Sequence, residues 1–184
     1  MNLIELRKNY LHWEKIYKDS EWFPVVNENG EVLGKAPREI CHDGSSFILH
    51  PVIHLHVVSS NGKILLQKRK ITKKIQPGKW DTSVGGHVSY GETIEDALIR
   101  ESEEEISVTP VNPVFIFSYV WESKVEKELV NSYKLVYDGE VKMLESEIDE
   151  LRFMSREDIE SNIGKSLFTP NFEYEFEKIK KIIF

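Results

Sequence analysis

The sequence predicts an α/β fold, a mixed β-sheet sandwiched between helices. Two observations carry that prediction. Strand-like runs dominate the middle of the chain, while helix patterns open it, follow the basic loop IQPGKW and close it. No internal repeat, low-complexity segment or long linker interrupts this order. The 184 residues suffice for one domain with a substantial core. That domain is expected to comprise an N-terminal helix in 1–20, a core in 22–160 and a C-terminal helix in 169–184.

The elements follow in order. Leu3, Leu6, Tyr10, Trp13, Ile16 and Tyr17 recur at helical spacing and predict an amphipathic helix over 3–19. Trp22–Val26 and Glu31–Gly34 flank the turn Asn27-Glu28-Asn29-Gly30 and read as a hairpin. Pro37 opens a short helix that stops near Gly44. The β-branched run Val52–Ser59, the Asn61-Gly62 turn and Lys63–Lys68 predict a second hairpin, and Thr82–Val88 a further strand. Thr93 with Asp96 reads as the capping box of the next helix. Val111–Trp121, Leu129–Asp138 and Leu151–Met154 read as strands. Ser155 with Asp158 caps a short helix, and Thr169-Pro170 opens the last one.

The apolar share and aromatic content are globular values. A single cysteine, Cys41, excludes an internal disulfide and suits a reducing compartment. The stretch MNLIELRKNYLHWEKIYKD lacks the apolar centre of a signal peptide, and no later segment approaches a membrane span. A net charge of −7 argues against non-specific nucleic-acid binding. A cytoplasmic protein with neither membrane nor nucleic acid as partner is expected. The aromatic-rich N-terminal helix suits a sheet edge or a partner subunit, which leaves room for a homodimer.

Charge is distributed unevenly. Lys63, Lys68, Arg69, Lys70, Lys73, Lys74 and Lys79 share a segment without acids. Glu92, Glu95, Asp96, Glu101, Glu103, Glu104 and Glu105 then follow with only Arg100 among them. That succession suits a site that holds an anion together with a divalent cation, or two solvated surfaces of opposite sign. Glu101, Glu104 and Glu105 stand at i, i+3 and i+4, so their carboxylates form one stripe. Leu98, Ile99, Ser102 and Ile106 lie on another side that can face the core. Stacked like charges near a helix C-terminus cost a few tenths of a kcal/mol per pair, and a hard divalent ion would offset that cost.

The run from Gly86 through Glu92, Arg100, Glu101, Glu104 and Glu105 to Val108 resembles the Nudix box at every charged position. It departs at Ser102, where an apolar residue is usual, and at Ser107, where glycine is usual. The resemblance implies a Nudix-like fold and hydrolysis of a diphosphate linked to another group. It implies that Glu101, Glu104 and Glu105 ligate Mg²⁺ or Mn²⁺, helped by backbone at Gly85 or Gly86, and that Glu92 and Arg100 tie loop to helix. Glu101 is the first candidate for the base, with Glu104 also in the catalytic set and Glu147 as an alternative. Arg69, Lys79 and His87 are the expected substrate contacts.

Much of 22–160 is also similar to the Nudix branch that includes isopentenyl-diphosphate isomerases. The cues are VVNENGEVLGKAPRE, LLQKRKITKKIQPGKWDTSVGGH and EIDELRFMSREDIE. That resemblance implies a second metal site at His42, His50, His87, Glu126 and Glu128. It also implies a catalytic cysteine directly before the Gly-His pair, where this chain has Gly85. Glycine supplies neither proton donor nor acceptor, so hydrolysis of a small nucleotide-like or prenyl diphosphate is favoured over isomerisation. A non-catalytic ligand-binding module is the third reading. His54 and His56, two apart on one strand, are expected to line a cavity as satisfied polar residues. Trp80 is expected to pack in the core or a loop, and Tyr119, Trp121 and Tyr133 lie on strands that could wall a pocket.

Overall fold

Asn61-Gly62 closes a hairpin as its residue types demand. Gly62 takes φ +77°, its N–H donates to Ser59 O at 2.9 Å, and Ser59 N–H donates to Lys63 O at 2.9 Å. The strands it joins are β3 (Leu49–Val58) and β4 (Ile64–Arg69), paired antiparallel. In this computed structural model the backbone is described for residues 3–184 and side chains from residue 9 onward. Leu3 and Leu6 therefore lie outside the described side chains.

The remaining elements are α1 (Leu3–Ile16), β1 (Trp22–Val26), β2 (Val32–Pro37), α2 (Arg38–Cys41), β5 (Trp80–Asp81), β6 (Val84–His87), α3 (Ile94–Ile106), β7 (Val114–Glu122), β8 (Lys127–Val136), β9 (Ile148–Met154), α4 (Arg156–Glu160) and α5 (Pro170–Ile183). One sheet runs β5-β4-β3-β8-β7, with β6 on β3 and β9 on β4, while β1 and β2 form a separate hairpin. The expected α/β architecture is thus present. No helix among the described residues is long and apolar enough to cross a membrane.

Several boundaries differ from expectation: β2 runs on to Pro37, β3 starts at Leu49, β7 at Val114, β8 at Lys127 and β9 at Ile148. The first helix ends at Ile16 rather than at residue 19, just ahead of the turn at Lys18–Ser20. The run Thr82–Val88 holds one strand, β6, narrowed to Val84–His87, which pairs with β3 while the preceding β5 pairs with β4. At the change of partner, side chains take over the ladder. Ser83 Oγ accepts from Val57 N–H at 2.8 Å and donates to Leu65 O at 2.5 Å. Thr82 Oγ1 donates to Leu55 O at 3.1 Å. Both residues are buried, so these bonds satisfy backbone groups that water cannot reach.

The chain divides into two compact units. The first takes residues up to Ile53 with Gly86–Ala97 and Ser118–Asn131. Its apolar centre is Trp13, Phe23, Val25, Ala36, Cys41 and Ile48. Within it, Lys35 Nζ lies 4.6 Å from the Trp22 ring and 4.9 Å from that of Tyr10, and pairs with Glu14 at 3.1 Å. That clasp joins α1 to the β1–β2 hairpin.

The second unit takes His54–Gly85, Leu98–Phe117 and Ser132–Phe184. Its core collects Val58, Ile64, Leu66 and Trp80 with Phe168, Phe172, Phe176, Ile179 and Ile183. Thr169 caps α5 as expected, accepting from Phe172 N–H at 3.2 Å. Its N–H donates to Trp80 O at 2.9 Å, and Trp80 N–H donates to Leu167 O at 3.0 Å, so α5 is sewn to β5 at its start. Ser155 and Asp158 form the capping box of α4.

Helix α3 buries Leu98, Ser102 and Ile106 in the face expected, but Ile99 is 40% exposed and does not join them. The Ser102 hydroxyl donates back to Leu98 O at 2.6 Å, which explains how a polar residue sits where an apolar one is usual. Ser107 takes φ +57°, the left-handed conformation that glycine adopts without cost. Lys142 N–H and Leu144 N–H donate to Ile106 O and Glu105 O at 3.0 and 2.9 Å, satisfying the last carbonyls. Ser107→Gly should therefore stabilise the protein by about 0.5–1 kcal/mol, seen as a higher urea midpoint. An unchanged or lower midpoint would show that the left-handed serine carries no strain.

Candidate active site

In the second unit Glu105, of the acidic stripe of α3, lies against Gly85 in β6 and Gln67 in β4. Glu105 is half-buried, and its Oε2 accepts from Gly85 N–H at 3.1 Å and from Gln67 Nε2 at 2.8 Å. Burial pushes this carboxyl up to about 7, and the neighbouring charge of Glu101 adds to the rise, while the two hydrogen bonds oppose it. Arg100 Nη1 donates to Glu101 Oε1 at 2.7 Å and to Glu104 Oε2 at 3.3 Å. The three carboxylates thus share one helix side, each with its charge offset by a nearby donor. Both of these Arg100 bonds run along α3 to the glutamates. In the first unit Glu92 accepts from Ser89 N–H at 2.9 Å, within the loop that enters α3.

The basic loop is fastened at several points. Arg69 Nε donates to Ile75 O at 3.2 Å and its Nη1 lies 3.5 Å from Asp81 Oδ2. Arg69 N–H donates to Lys79 O at 2.8 Å, which holds the two expected phosphate contacts opposite each other. Glu147, the alternative base, forms an ion pair with Lys73. Trp80 is in the core, as expected.

Beneath Gly85 lies a group that spacing alone did not assemble. His54 Nδ1 is 2.6 Å from Glu175 Oε2, and Glu175 Oε1 stands 3.0 Å from His56 Nε2 without hydrogen-bond alignment. His56 Nδ1 is 3.1 Å from Thr82 Oγ1. Glu175 is fully buried, and the two imidazoles hold its carboxyl well below the usual range against the cost of burial. The signal was present in the sequence. Glu175 interrupts the apolar stripe Phe172, Phe176, Ile179 and Ile183, and a carboxylate there needs partners. Gln67 left no such signal, because one glutamine in an apolar strand is ordinary.

The first unit gathers a different chemistry. His42, His50 and His87 bring one ring nitrogen each within 4.8 Å of one another, the metal-competent cluster found among the described residues. His42 Nε2 is 3.1 Å from His87 Nε2 and 3.2 Å from Glu126 Oε2, and His87 Nε2 is 3.9 Å from Glu128 Oε1. Phe23 stacks on His87 at 4.4 Å and on His50 at 5.4 Å, fixing both rings. His50 Nδ1 bonds Ile48 O at 2.8 Å, while its buried Nε2 has no protein partner. Burial pushes the His50 ring down to about 4, so it is a neutral imidazole near neutral pH. That is the form a metal requires. His87, expected to touch substrate, is thus part of this cluster, and Arg38 Nη1 stands 3.5 Å from its Nδ1.

Comparison with known proteins gives the family and the fold. The family model described as NUDIX domain matches residues 49–172. The uncharacterized Nudix hydrolase YfcD of Escherichia coli is 30% identical over 152 residues, covering 83% of this chain and 82% of that one. The uncharacterized Nudix hydrolase lmo0368 of Listeria monocytogenes is 31% identical over 162 residues, covering 83% and 89%. The crystal structure of DR0079 from Deinococcus radiodurans matches with a TM-score of 0.73 at 22% identity, covering 86% of this chain and 98% of that one. The NUDIX domain of Shewanella oneidensis NrtR, solved with ADP ribose, matches with a TM-score of 0.61 at 13% identity, covering 73% and 88%. At these identities the two structures speak for the fold alone.

The raised pKa of Glu105 sets a pH dependence. An acid with a higher pKa in the folded chain favours folding while protonated, and that contribution fades as pH rises from about 4.5 through about 7. In chelator-treated protein, Glu105→Gln should gain about 1–2 kcal/mol over the parent at about pH 8 and little at about pH 5, after discounting for partial exposure. Urea denaturation at both values measures this; a gap independent of pH would contradict it.

Proposed function

The chain belongs to the Nudix family and is a Nudix-type hydrolase, and from that premise we propose that it cleaves a diphosphate linkage in a small nucleotide-like or prenyl diphosphate with the help of Mg²⁺ or Mn²⁺. The observation that carries the reading is the acidic stripe itself. Glu101, Glu104 and Glu105 offer hard oxygen donors from one side of α3, beside a glycine that leaves room for a ligand. The donor set fits a magnesium-like ion, and Glu101, Glu104 and Glu105 would hold it with backbone at Gly85 or Gly86. When bound, the ion neutralises charge on the phosphate oxygens and lowers the pKa of the attacking water.

The residues themselves do the rest. Arg100 pairs with Glu101 and Glu104 and orients both carboxylates. Glu101 is the first candidate to take the proton of the attacking water, with Glu147 as the alternative. Arg69 and Lys79, facing each other across the basic loop, are placed to receive phosphate oxygens. That a relative of the same fold was solved with ADP ribose agrees with a nucleotide-like substrate.

A second reading draws on the histidine cluster. Three imidazoles with Glu126 and Glu128 fit a divalent ion, and the unpartnered Nε2 of His50 is a ready ligand atom. This is the arrangement an isomerase-like enzyme would need. Gly85 in place of a cysteine removes the proton donor of that reaction, so the cluster is better read as a second metal centre in a hydrolase.

A screen of nucleoside diphosphate derivatives and prenyl diphosphates with Mg²⁺ or Mn²⁺ in isotopically labelled water tests the proposal. Labelled phosphate should be released, and Glu104→Gln and Glu105→Gln should each lower kcat by about 100-fold or more, the scale of several kcal/mol of lost charge stabilisation. Double-bond migration in isopentenyl diphosphate without phosphate release would overturn it in favour of the isomerase. Binding without turnover, unaffected by either substitution, would point to a non-catalytic module.

A further inference from the structure

Gln67 is 5% exposed in β4, and the proposed hydrolysis gives it no role. Strand alternation explains where it stands. Ile64 and Leu66 belong to the apolar core around α5, so Leu65 and Gln67 project from the opposite side of the sheet. On that side Gln67 reaches Glu105 of α3. Its backbone lies opposite Asp81 of β5 and Leu151 of β9, so a strand holds it on either side. Burying an amide costs free energy unless its hydrogen bonds are met. A methionine of similar volume would fill the position without that cost. Packing alone therefore gives no reason for a glutamine in this strand.

The geometry supplies one. Gln67 Nε2 and Gly85 N–H donate to the same atom, Glu105 Oε2, at 2.8 and 3.1 Å. The donors come from different strands, β4 and β6, so together they fix that oxygen in direction as well as distance. Neither is bonded to Oε1. Both donors are also neutral, whereas Glu101 and Glu104 on the same stripe are held by the Arg100 guanidinium. A cation at position 67 could hold Glu105 as firmly, but it would offset the charge that draws a divalent ion. An amide orients the carboxylate and leaves that charge in place. Residues that orient a ligand in this way typically carry about 10- to 100-fold of metal affinity without touching the ion.

We propose that Gln67 is a positioning residue for the divalent ion: with Gly85 N–H it pins Oε2 of Glu105, so that this carboxylate meets the ion through Oε1. The inference rests on the reading above that the acidic stripe holds such an ion. Gln67 acts through Glu105, so its effect vanishes once Glu105 is no longer a ligand. A merely structural role would instead lower the number of intact sites per chain and leave the Kd of the remaining sites unchanged.

Titration of the full chain with Mn²⁺ alone, followed by the paramagnetic resonance of the free ion, tests this without turnover. Glu105→Gln marks which binding belongs to the stripe, and ions taken by the histidine cluster are common to every variant. Gln67→Met, close in volume but without a donor, should raise the Kd of the stripe ion by about 10-fold at unchanged stoichiometry. Gln67→Lys should weaken binding as much, because its ammonium competes with the ion. In a Glu105→Gln background Gln67→Met should change the Kd by less than about twofold. An unchanged Kd in either substitution, or an equal loss in both backgrounds, would overturn the proposal and leave the stripe as the ion site. Should the variants not fold, the parent chain decides. In manganese-soaked crystals Oε1 of Glu105 should be the ligating oxygen, with Oε2 still within hydrogen-bond distance of Gln67 and Gly85. An ion held through Oε2 would overturn the positioning role alone. No manganese at the stripe of the parent would overturn the ion reading, and the proposal with it.

Discussion

A carboxylate held partly out of water with too little positive charge around it is the constraint on which the site depends. Glu105 receives two neutral donors, Gly85 N–H and Gln67, while Arg100 serves Glu101 and Glu104. Two neutral hydrogen bonds do not compensate the desolvation of a full charge, and the raised pKa expresses the shortfall. Folding tolerates it because α3 is anchored elsewhere, through Leu98, Ser102 and Ile106 in the core and by backbone bonds at its C-terminus. The helix spends stability to keep an anion where a cation can complete it.

The same logic separates the two buried carboxylate environments of the second unit. Glu175 is buried more completely than Glu105 yet is held ionised, because two imidazoles stand at 2.6 and 3.0 Å. One acid has its charge balanced from within the protein and fixes a histidine; the other awaits a partner from outside. In the first unit His50 shows the neutral counterpart, a buried imidazole with one nitrogen bonded to Ile48 O and the other unengaged.

Much of this was legible in the sequence, and the parts that were not share a cause. Local chemistry reported itself. The Asn-Gly hairpin, the Ser155–Asp158 capping box, the Thr169-Pro170 helix start and the i, i+3, i+4 spacing of the glutamates are all set by residues close in sequence. The change of partner between β5, on β4, and β6, on β3, was not visible, because it depends on Ser83 reaching Val57 and Leu65. His54 and His56 read as satisfied polar residues; His54 is bonded to Glu175, whereas His56 Nε2 stands near that carboxylate without alignment, and Glu175 lies over a hundred positions away on another element. Ile99 was misplaced because helical spacing gives an angle and not the width of the buried stripe. The resemblance to isomerases brought His42, His50, His87, Glu126 and Glu128 to attention, and the side chains do converge.

Where a divalent ion binds decides the role of the acidic stripe. Crystals soaked in manganese and measured for its anomalous scattering should show an ion among the Glu101, Glu104 and Glu105 carboxylates, with Glu101 and Glu104 drawn away from Arg100. Carboxylates still turned to Arg100, Gly85 and Gln67, with no anomalous peak between them at saturating manganese, would contradict it.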